Sequence, residues 1–318
     1  MTVLLESIEL TKHFSMGKGR TVHAVDQVTL AIAEKEIVGL VGESGSGKST
    51  FGKTLVGLHS KTAGQVKFKG KVLPQKYRSG DFQRMATSMQ MIFQDPYSSL
   101  NPRMTVGEII GEGLRLHSAE TNAKVKEKTA EWLERVGMHG DHMSRYPHEF
   151  SGGQRQRIGI ARAMILEPEF VVCDEPISAL DVSVQAQVIN LLGELKDKMG
   201  LTLLFIAHDL SMVRYVSDRM AVMYLGSLVE IGPADEVYFQ PKHPYTEILV
   251  NSNPEPDPET ERGRLSTTIQ GEIPSPINVP EGCRFASRCP KVMDVCKHET
   301  PQLLPLKDLN RQVACHLY

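Results

Sequence analysis

A strand, a glycine-rich loop and a helix follow one another near the start of this chain. The apolar, β-branched run Ile37 to Val41 predicts a buried strand. The pattern G-x-x-x-x-G-K-S follows directly, from Gly42 to Ser49, and a helical stretch then runs through Leu58. Glycines let such a turn bend tightly and aim its backbone N–H groups inward. The chain is therefore predicted to fold around a loop that cradles phosphate groups.

Side chains of this loop are predicted to bind a nucleotide with its magnesium ion. Lys48 is placed to reach the β- and γ-phosphates, and the hydroxyl of Ser49 is placed to bind Mg²⁺. The residues expected to contact the nucleotide here are Gly42, Ser44, Gly45, Gly47, Lys48, Ser49 and Thr50. Such a loop is shared by kinases, GTPases and ATPases, so other motifs must decide the class.

A second apolar run, Phe170 to Cys173, ends in two adjacent carboxylates, Asp174 and Glu175. In enzymes with a phosphate loop, an aspartate at the end of such a strand holds Mg²⁺. The next carboxylate can orient and polarise the attacking water. We therefore predict Asp174 as a magnesium ligand and Glu175 as the catalytic base.

The segment Phe150 to Arg157 resembles the signature motif of the ABC ATPases, usually written L-S-G-G-Q, with Phe150 where leucine is usual. Ser151 is expected to cap the helix that follows, and the two glycines allow close approach to an anion. The resemblance implies that Ser151, Gly153 and Gln154 contact ATP bound to an opposite subunit.

The other motifs of that family occur in the expected order. The resemblance implies that Phe14 stacks on adenine and that Gln94 contacts both Mg²⁺ and the attacking water. It also implies that Asp181, in Ser178 to Asp181, lies in a loop that crosses the dimer interface. His208, which follows the apolar run Leu203 to Ala207, matches the histidine that contacts the γ-phosphate.

The family fold implied for residues 1–240 is an α/β nucleotide-binding domain. It has a RecA-like core, an antiparallel β subdomain and an inserted helical subdomain at about residues 95–165. Helical spacing predicts one buried face there, formed by Val125, Trp132, Leu133 and Val136. A further helix is predicted from Ser183 to a stop at Gly200, with inward residues Val184, Val188, Leu191, Leu192 and Leu195.

Composition excludes several other classes. The formal net charge is −2, so no basic field favours nucleic acid. The sequence contains no apolar run of about eighteen residues that would span a bilayer. Residues 1–10 lack the basic and apolar pattern of a secretory signal. An ATP site in such a chain indicates the cytoplasm.

Residues 241–318 form a proline- and cysteine-rich extension, which the proline spacing predicts to be extended or rich in loops. Its segments Pro241 to Thr246 and Gly282 to Pro290 resemble the C-terminal extension of oligopeptide/dipeptide ABC importer ATPases. The relatives of those importers include nickel and glutathione uptake systems. With the ATPase motifs, this resemblance covers nearly the whole chain.

The extension holds four of the five cysteines: Cys283, Cys289, Cys296 and Cys315. Disulfides are disfavoured in a reducing cytoplasm. Four thiolates could instead fold this segment around a metal, and the spacing C-x₅-C-x₆-C-x₁₈-C matches neither paired zinc motifs nor the compact ferredoxin run. The family resemblance implies a [4Fe–4S] cluster; zinc and four free thiols are the alternatives.

The resemblance implies a motor subunit at the cytoplasmic face of the membrane, attached peripherally. Its partners would be a second ATPase subunit, a paralogue by family practice, two transmembrane permease subunits and an extracytoplasmic substrate-binding protein. Two ATP molecules would be held between the ATPase subunits, and hydrolysis would open the closed dimer. Peptides are the expected cargo. Two alternatives are a soluble ABC ATPase that acts on DNA or ribosomes and a metal-sensing module that uses the fold only for assembly.

Overall fold

The computed structural model describes residues 2–178, 180–252, 274–307 and 310–318. It divides into two compact units. We call residues 2–75 and 205–318 the N/C unit and residues 76–204 the middle unit, and each is described by itself.

The described strands are β1 Val3–Ser15, β2 Thr21–Ala33, β3 Ile37–Val41, β4 Ala63–Phe68, β5 Lys71–Val72, β6 Met89–Ile92, β7 Phe170–Asp174, β8 Thr202–Ile206, β9 Arg219–Tyr224, β10 Ser227–Pro233, β11 Leu304–Pro305 and β12 Gln312–Val313. The described α-helices are α1 Lys48–Leu55, α2 Ser79–Met85, α3 Pro96–Ser99, α4 Val106–His117, α5 Asn122–Arg135, α6 Gly152–Met164, α7 Val182–Met199, α8 Leu210–Val216, α9 Ala234–Phe239 and α10 Pro244–Asn251.

The N/C unit contains an antiparallel sheet in the order β2-β1-β4-β5. It also contains β3, which pairs in parallel with β9, followed outward by the antiparallel strands β10, β12 and β11. All five residues of β3 are buried, as a parallel strand covered on both faces requires. The antiparallel subdomain expected near the N-terminus is therefore present, and the last strands come from the extension.

In the middle unit, β6 and β7 are parallel neighbours, with Ile92 opposite Cys173. The start of β8 lies beside β7, since the Thr202 N–H donates to the Glu169 carbonyl at 3.0 Å. All residues of β7 and β8 are buried. The three predicted central strands are thus confirmed, because long apolar runs survive only where both faces are covered.

The stretch at residues 95–165 is mostly helical, as predicted, with α3 to α6 and two short 3₁₀ turns. Thr105 and Glu108 form a capping box at the start of α4. The predicted apolar face of α5 is confirmed, since Val125, Trp132, Leu133 and Val136 are all buried. Helix α7 also forms and ends at Gly200, which has the left-handed conformation of a C-terminal cap (φ 67°).

Three expectations need correction. Helix α1 ends at Leu55 and not at Leu58, because Gly57 adopts a positive φ of 82° that ends the helical pattern. Val184 is only half-buried, since the start of α7 faces the Gly153 backbone instead of the core. The proline-rich region after residue 240 contains α10, because Pro244 occupies the first helical turn, where its missing N–H is harmless.

The N-terminus of α10 is fixed by buried polar contacts. The Tyr245 N–H donates to Nδ1 of His243 at 3.0 Å, so His243 caps the helix. The backbone N–H groups of Lys242 and His243 donate to the Glu230 carboxylate at 2.9 Å each. Arg311 forms an ion pair with that same, fully buried carboxylate. This buried network of charged and polar groups in the N/C unit therefore fixes the start of the extension.

Replacing His243 with Asn, which also caps helices, should reduce the loss of folding stability as the pH falls below neutral. Burial lowers the pKa of His243 from 6.5 to about 4. Between these pKa values the histidine is protonated in the unfolded chain but not in the folded chain, so falling pH destabilises the folded state. Over the whole range between the two values, the free energy of unfolding falls by about 3 kcal/mol. Urea unfolding across this range measures it; equal pH dependence in parent and variant contradicts the prediction.

Candidate functional site

The loop from Gly42 to Ser49 connects β3 to α1 in the N/C unit. Gly42 and Gly47 have positive φ angles of 152° and 105°. A Cβ atom at Gly42 would lie 2.1 Å from the Met223 carbonyl oxygen, and one at Gly47 would lie 2.0 Å from the Ala24 carbonyl oxygen. Only glycine fits at these points. The loop is therefore tightly packed against β2 and β9.

Lys48 brings a buried positive charge into this loop. Its side chain is 4% exposed, and Nζ donates to the carbonyl oxygens of Gly42 at 2.7 Å and Glu43 at 2.9 Å. Lys48 also begins α1, whose first turn has no acidic residue. An ammonium and a helix N-terminus together favour an anion. Ser44 and Gly45 are exposed, so backbone on the outer side of the loop is open to a phosphate group.

His208 lies at the same end of the N/C unit's parallel strands as the glycine-rich loop. It directly follows Ala207. The Ala207 N–H donates at 3.3 Å to the carbonyl of Leu40, which belongs to β3, the strand that leads into the loop. The side chain of His208 is exposed. The structure therefore brings His208 to the carboxyl end of the strand beside β3, where ligands of parallel sheets bind.

Phe14 is half-buried at the end of β1. Lys12 Nζ lies 4.6 Å from the centre of its ring, and His59 packs edge-on at 5.4 Å. These contacts orient the ring. Its stacking on adenine stays a prediction.

Gln94 and Glu175 meet in the middle unit. Gln94 Nε2 donates to Glu175 Oε2 at 2.8 Å. Each residue lies two positions beyond a paired residue, Ile92 in β6 or Cys173 in β7, so parallel pairing brings them together. Glu175 has a φ of 44°, an uncommon conformation for a non-glycine residue that is typical of functional sites. Asp174, directly before it, is buried at the end of β7.

The sequence predicts a role for Gln94 and for Glu175 but not their direct contact. That contact depends on the pairing of Ile92 with Cys173, which no local sequence pattern reports. The oxygen donors proposed for magnesium, on Ser49, Gln94 and Asp174, are a hydroxyl, an amide and a carboxylate. These hard ligands are the kind that Mg²⁺ prefers, so the donor set fits the ion.

Ser151 caps α6, as predicted. Its hydroxyl accepts from the Gln154 N–H at 3.3 Å, and the Gln154 side chain accepts from the Ser151 N–H at 3.0 Å. Gly153 lies so close to α7 that a Cβ atom there would come within 2.5 Å of Val184. Asp181 is exposed at the start of α7, and Ser151 and Gln154 are exposed as well. The motif thus presents a helix N-terminus to the outside, where a second molecule can reach it.

The four cysteines of the extension lie near one another. The Cys283 N–H donates to the Cys296 carbonyl at 2.8 Å. Burial first, and then the nearby thiolates of Cys296, Cys315 and Cys289, raise the pKa of Cys283 to about 11. Burial likewise raises the pKa of Cys289 and Cys315. A metal must therefore displace protons from these thiols.

A second group of possible metal ligands lies in the N/C unit: in the described ranges, ligand atoms of His13, His23 and Asp26 lie within 4.8 Å of one another. In the histidine group, Arg284 pairs with Asp26, which disfavours a cation there.

Two family models match this sequence. The model described as "ABC transporter" matches residues 25–178. The model described as "Oligopeptide/dipeptide transporter, C-terminal region" matches residues 229–296. The first match includes the phosphate loop, Ser151 to Gln154 and Glu175, and the second includes Cys283 to Cys296.

Similar proteins span nearly the whole chain. YkfD of Bacillus subtilis is 55% identical over 316 residues, covering 99% of this chain and 95% of that protein. The oligopeptide transport ATP-binding protein OppF of Salmonella typhimurium is 50% identical over 310 residues, with 95% and 92% covered.

Solved structures share the fold. The dimeric ATP-binding cassette MJ0796, in a post-hydrolysis state with ADP and Pi, gives a TM-score of 0.67 at 26% identity, covering 73% of this chain and 99% of that one. The protein cbiO1 of Clostridium perfringens, part of an ABC transporter complex, gives 0.66 at 25% identity, covering 76% and 92%.

Proposed function

This chain belongs to the ABC transporter family and carries the C-terminal region of the oligopeptide/dipeptide transporters, and from this premise we propose that it hydrolyses ATP to power the import of peptides. The observation that carries the ATPase function is the loop around Lys48, whose glycine geometry suits phosphate binding. The peptide cargo is supported by the 50% identity to an oligopeptide transport ATP-binding protein.

The loop binds the triphosphate through Gly42, Ser44, Gly45, Gly47, Lys48, Ser49 and Thr50, and the ammonium of Lys48 faces the negative charge of the outer phosphates. Glu175 takes a proton from water as that water attacks the γ-phosphorus and the bond to the β-phosphate oxygen breaks. The Gln94 amide orients the Glu175 carboxylate through the 2.8 Å hydrogen bond. His208 stabilises the γ-phosphate, and Phe14 stacks on adenine. Ser49, Gln94 and Asp174 would hold a magnesium ion, which would neutralise phosphate charge.

Hydrolysis takes place in a dimer of ATPase subunits. Ser151, Gly153, Gln154 and Asp181 of one subunit contact the nucleotide held by its partner. Support comes from the exposure of Ser151 and Gln154 at a helix N-terminus and from the dimeric state of the MJ0796 cassette. ATP then stabilises the closed dimer, and its hydrolysis favours opening. The second subunit is a paralogue of this chain.

The cargo crosses the membrane through other proteins. In the described ranges, no helix combines the length and apolar character needed to span a bilayer. Two permease subunits and an extracytoplasmic peptide-binding protein complete the transporter, with this chain at the cytoplasmic face. The segment around Gln94 passes the dimer's motion to the permeases. In this segment Tyr97 is 62% exposed, and Cζ of Arg155 lies 3.8 Å from the centre of its ring.

The complete transporter gives a direct test of this function. Peptide-loaded binding protein should stimulate ATP turnover by the reconstituted complex, and Glu175→Gln should lower that turnover by about 10²–10⁴-fold while ATP still binds. Glu194→Gln, an exposed residue paired with Lys198 on α7, is the matched control and should behave as the parent. Normal turnover in Glu175→Gln would refute the base assignment. Stimulation by loaded nickel- or glutathione-binding protein, but not by the peptide-loaded one, would refute the cargo.

The cysteine cluster is proposed to hold a [4Fe–4S] centre through Cys283, Cys289, Cys296 and Cys315, with zinc as the alternative. The proposal is supported by the four cysteines that lie in one short segment, since four cysteine thiolates are the usual ligands of such a centre. When bound, the centre would cross-link a segment that has little apolar core of its own. This role is structural or regulatory.

Anaerobic purification of the full chain distinguishes these alternatives. Iron and acid-labile sulfide should be present in equal amounts with a brown colour, and Cys296→Ser should reduce both, because it removes one of four ligands. Cys173→Ser is the matched control, since Cys173 is buried in β7 outside this cluster. A colourless protein that contains zinc and no iron would contradict the iron–sulfur proposal.

A further inference from the structure

Glu43, the second residue of the phosphate loop, is bound by two residues that lie far away in the sequence. Arg288 donates to both carboxylate oxygens of Glu43, from Nη1 at 2.8 Å and from Nη2 at 2.9 Å. The hydroxyl of Tyr245 accepts from the Glu43 N–H at 2.9 Å. All three residues belong to the N/C unit. The extension therefore holds both the main chain and the side chain of one loop residue.

The Arg288 contact is shielded from water. Its side chain is 4% exposed and that of Glu43 is 19% exposed. A two-pronged pairing of guanidinium and carboxylate is among the strongest polar contacts, and salt screens it little when it is buried. The pair thus fixes the position and orientation of Glu43.

The Tyr245 contact is supported by a buried aromatic cluster. The rings of Tyr224 and Tyr245 lie 4.6 Å apart, and Phe285 packs against both, at 5.2 and 5.3 Å. The Tyr224 hydroxyl lies 3.3 Å from Arg288 Nη1. All three rings are at most 1% exposed. Close packing leaves the two groups that bind Glu43 little freedom to move.

Glu43 in turn helps to hold the lysine of the loop. Its carbonyl oxygen is one of the two that accept from Lys48 Nζ. A chain of contacts therefore leads from Arg288, which stands directly before Cys289, through Glu43 to the ammonium that is proposed to face the phosphates. Glu43 itself has no role in the hydrolysis proposed above.

We propose that Arg288 and Tyr245 are positioning residues for ATP: the extension holds the phosphate loop in its binding conformation through Glu43. This inference rests on the proposed function, since it takes the loop to be the ATP site. A loop without these contacts samples other conformations, and each binding event must then order it. The apparent affinity falls by the fraction of time spent in the competent state.

Equilibrium binding of the magnesium complex of a non-hydrolysable ATP analogue to the full-length chain tests this proposal. Arg288→Gln should raise the dissociation constant about tenfold. Arg288→Lys should recover only part of the affinity, because an ammonium does not form the two-pronged pair. At saturating ATP, kcat should change by less than about twofold, since the reacting groups are untouched.

Lys291→Gln is the matched control. Lys291 lies in the same segment and pairs with the exposed Glu247 on α10 at 2.7 Å, away from the loop. Its removal should leave the dissociation constant unchanged. Tyr245→Phe removes one oxygen and keeps the ring, so it should weaken binding by about threefold and carries the test if Arg288→Gln does not fold.

A double-mutant cycle isolates the contact. Glu43→Gln should weaken binding as Arg288→Gln does, and the double variant should be no weaker than either single variant. Unchanged affinity in Arg288→Gln, with or without a lower melting temperature, overturns the proposal, and so do additive losses in the cycle. A parent chain that does not bind the analogue overturns the proposed function instead.

Discussion

Two glycines of the phosphate loop lie so close to neighbouring carbonyl oxygens that no side chain fits. The packing of the loop against the strands of the N/C unit depends on this constraint. Met223 on β9 meets Gly42, and Ala24 on β2 meets Gly47. The turn after β9 adds a bond from the Gly226 N–H to the Ser46 carbonyl at 2.9 Å. The loop conformation is therefore determined by strands far away in the sequence, and not by its own residues alone.

The extension contributes to the same arrangement from a different direction. The buried carboxylate of Glu230 pairs with Arg311 and accepts two backbone N–H groups at the start of α10. Buried charges are tolerated only when they are paired and hydrogen-bonded in this way. Because α10 carries Tyr245, this network fixes one of the two groups that hold Glu43. The extension is thus structurally continuous with the nucleotide loop.

The sequence alone was sufficient for features that are local and periodic. Strands β3, β7 and β8, helix α7 and the cap at Ser151 were all predicted, since apolar period and capping chemistry act within a few residues. Helix α10 was not predicted because Pro241 and Pro244, at and before its start, resemble the prolines of a loop. The bond between Arg288 and Glu43 spans 245 positions, and Glu43 occupies an unspecified position of the loop motif. No local pattern reports such a contact. The proline-rich stretch that includes Pro254, Pro256 and Pro258 lies outside the described residues.

The central claim is that the phosphate loop is already held in its binding conformation before nucleotide arrives. Amide hydrogen exchange of the nucleotide-free chain, resolved to single residues, tests it directly. The amides of Glu43 and Ser46, bonded to Tyr245 and to the Glu43 carbonyl, should exchange far more slowly than in an unstructured peptide. Exchange at the unstructured rate, while β3 remains protected, would contradict the account.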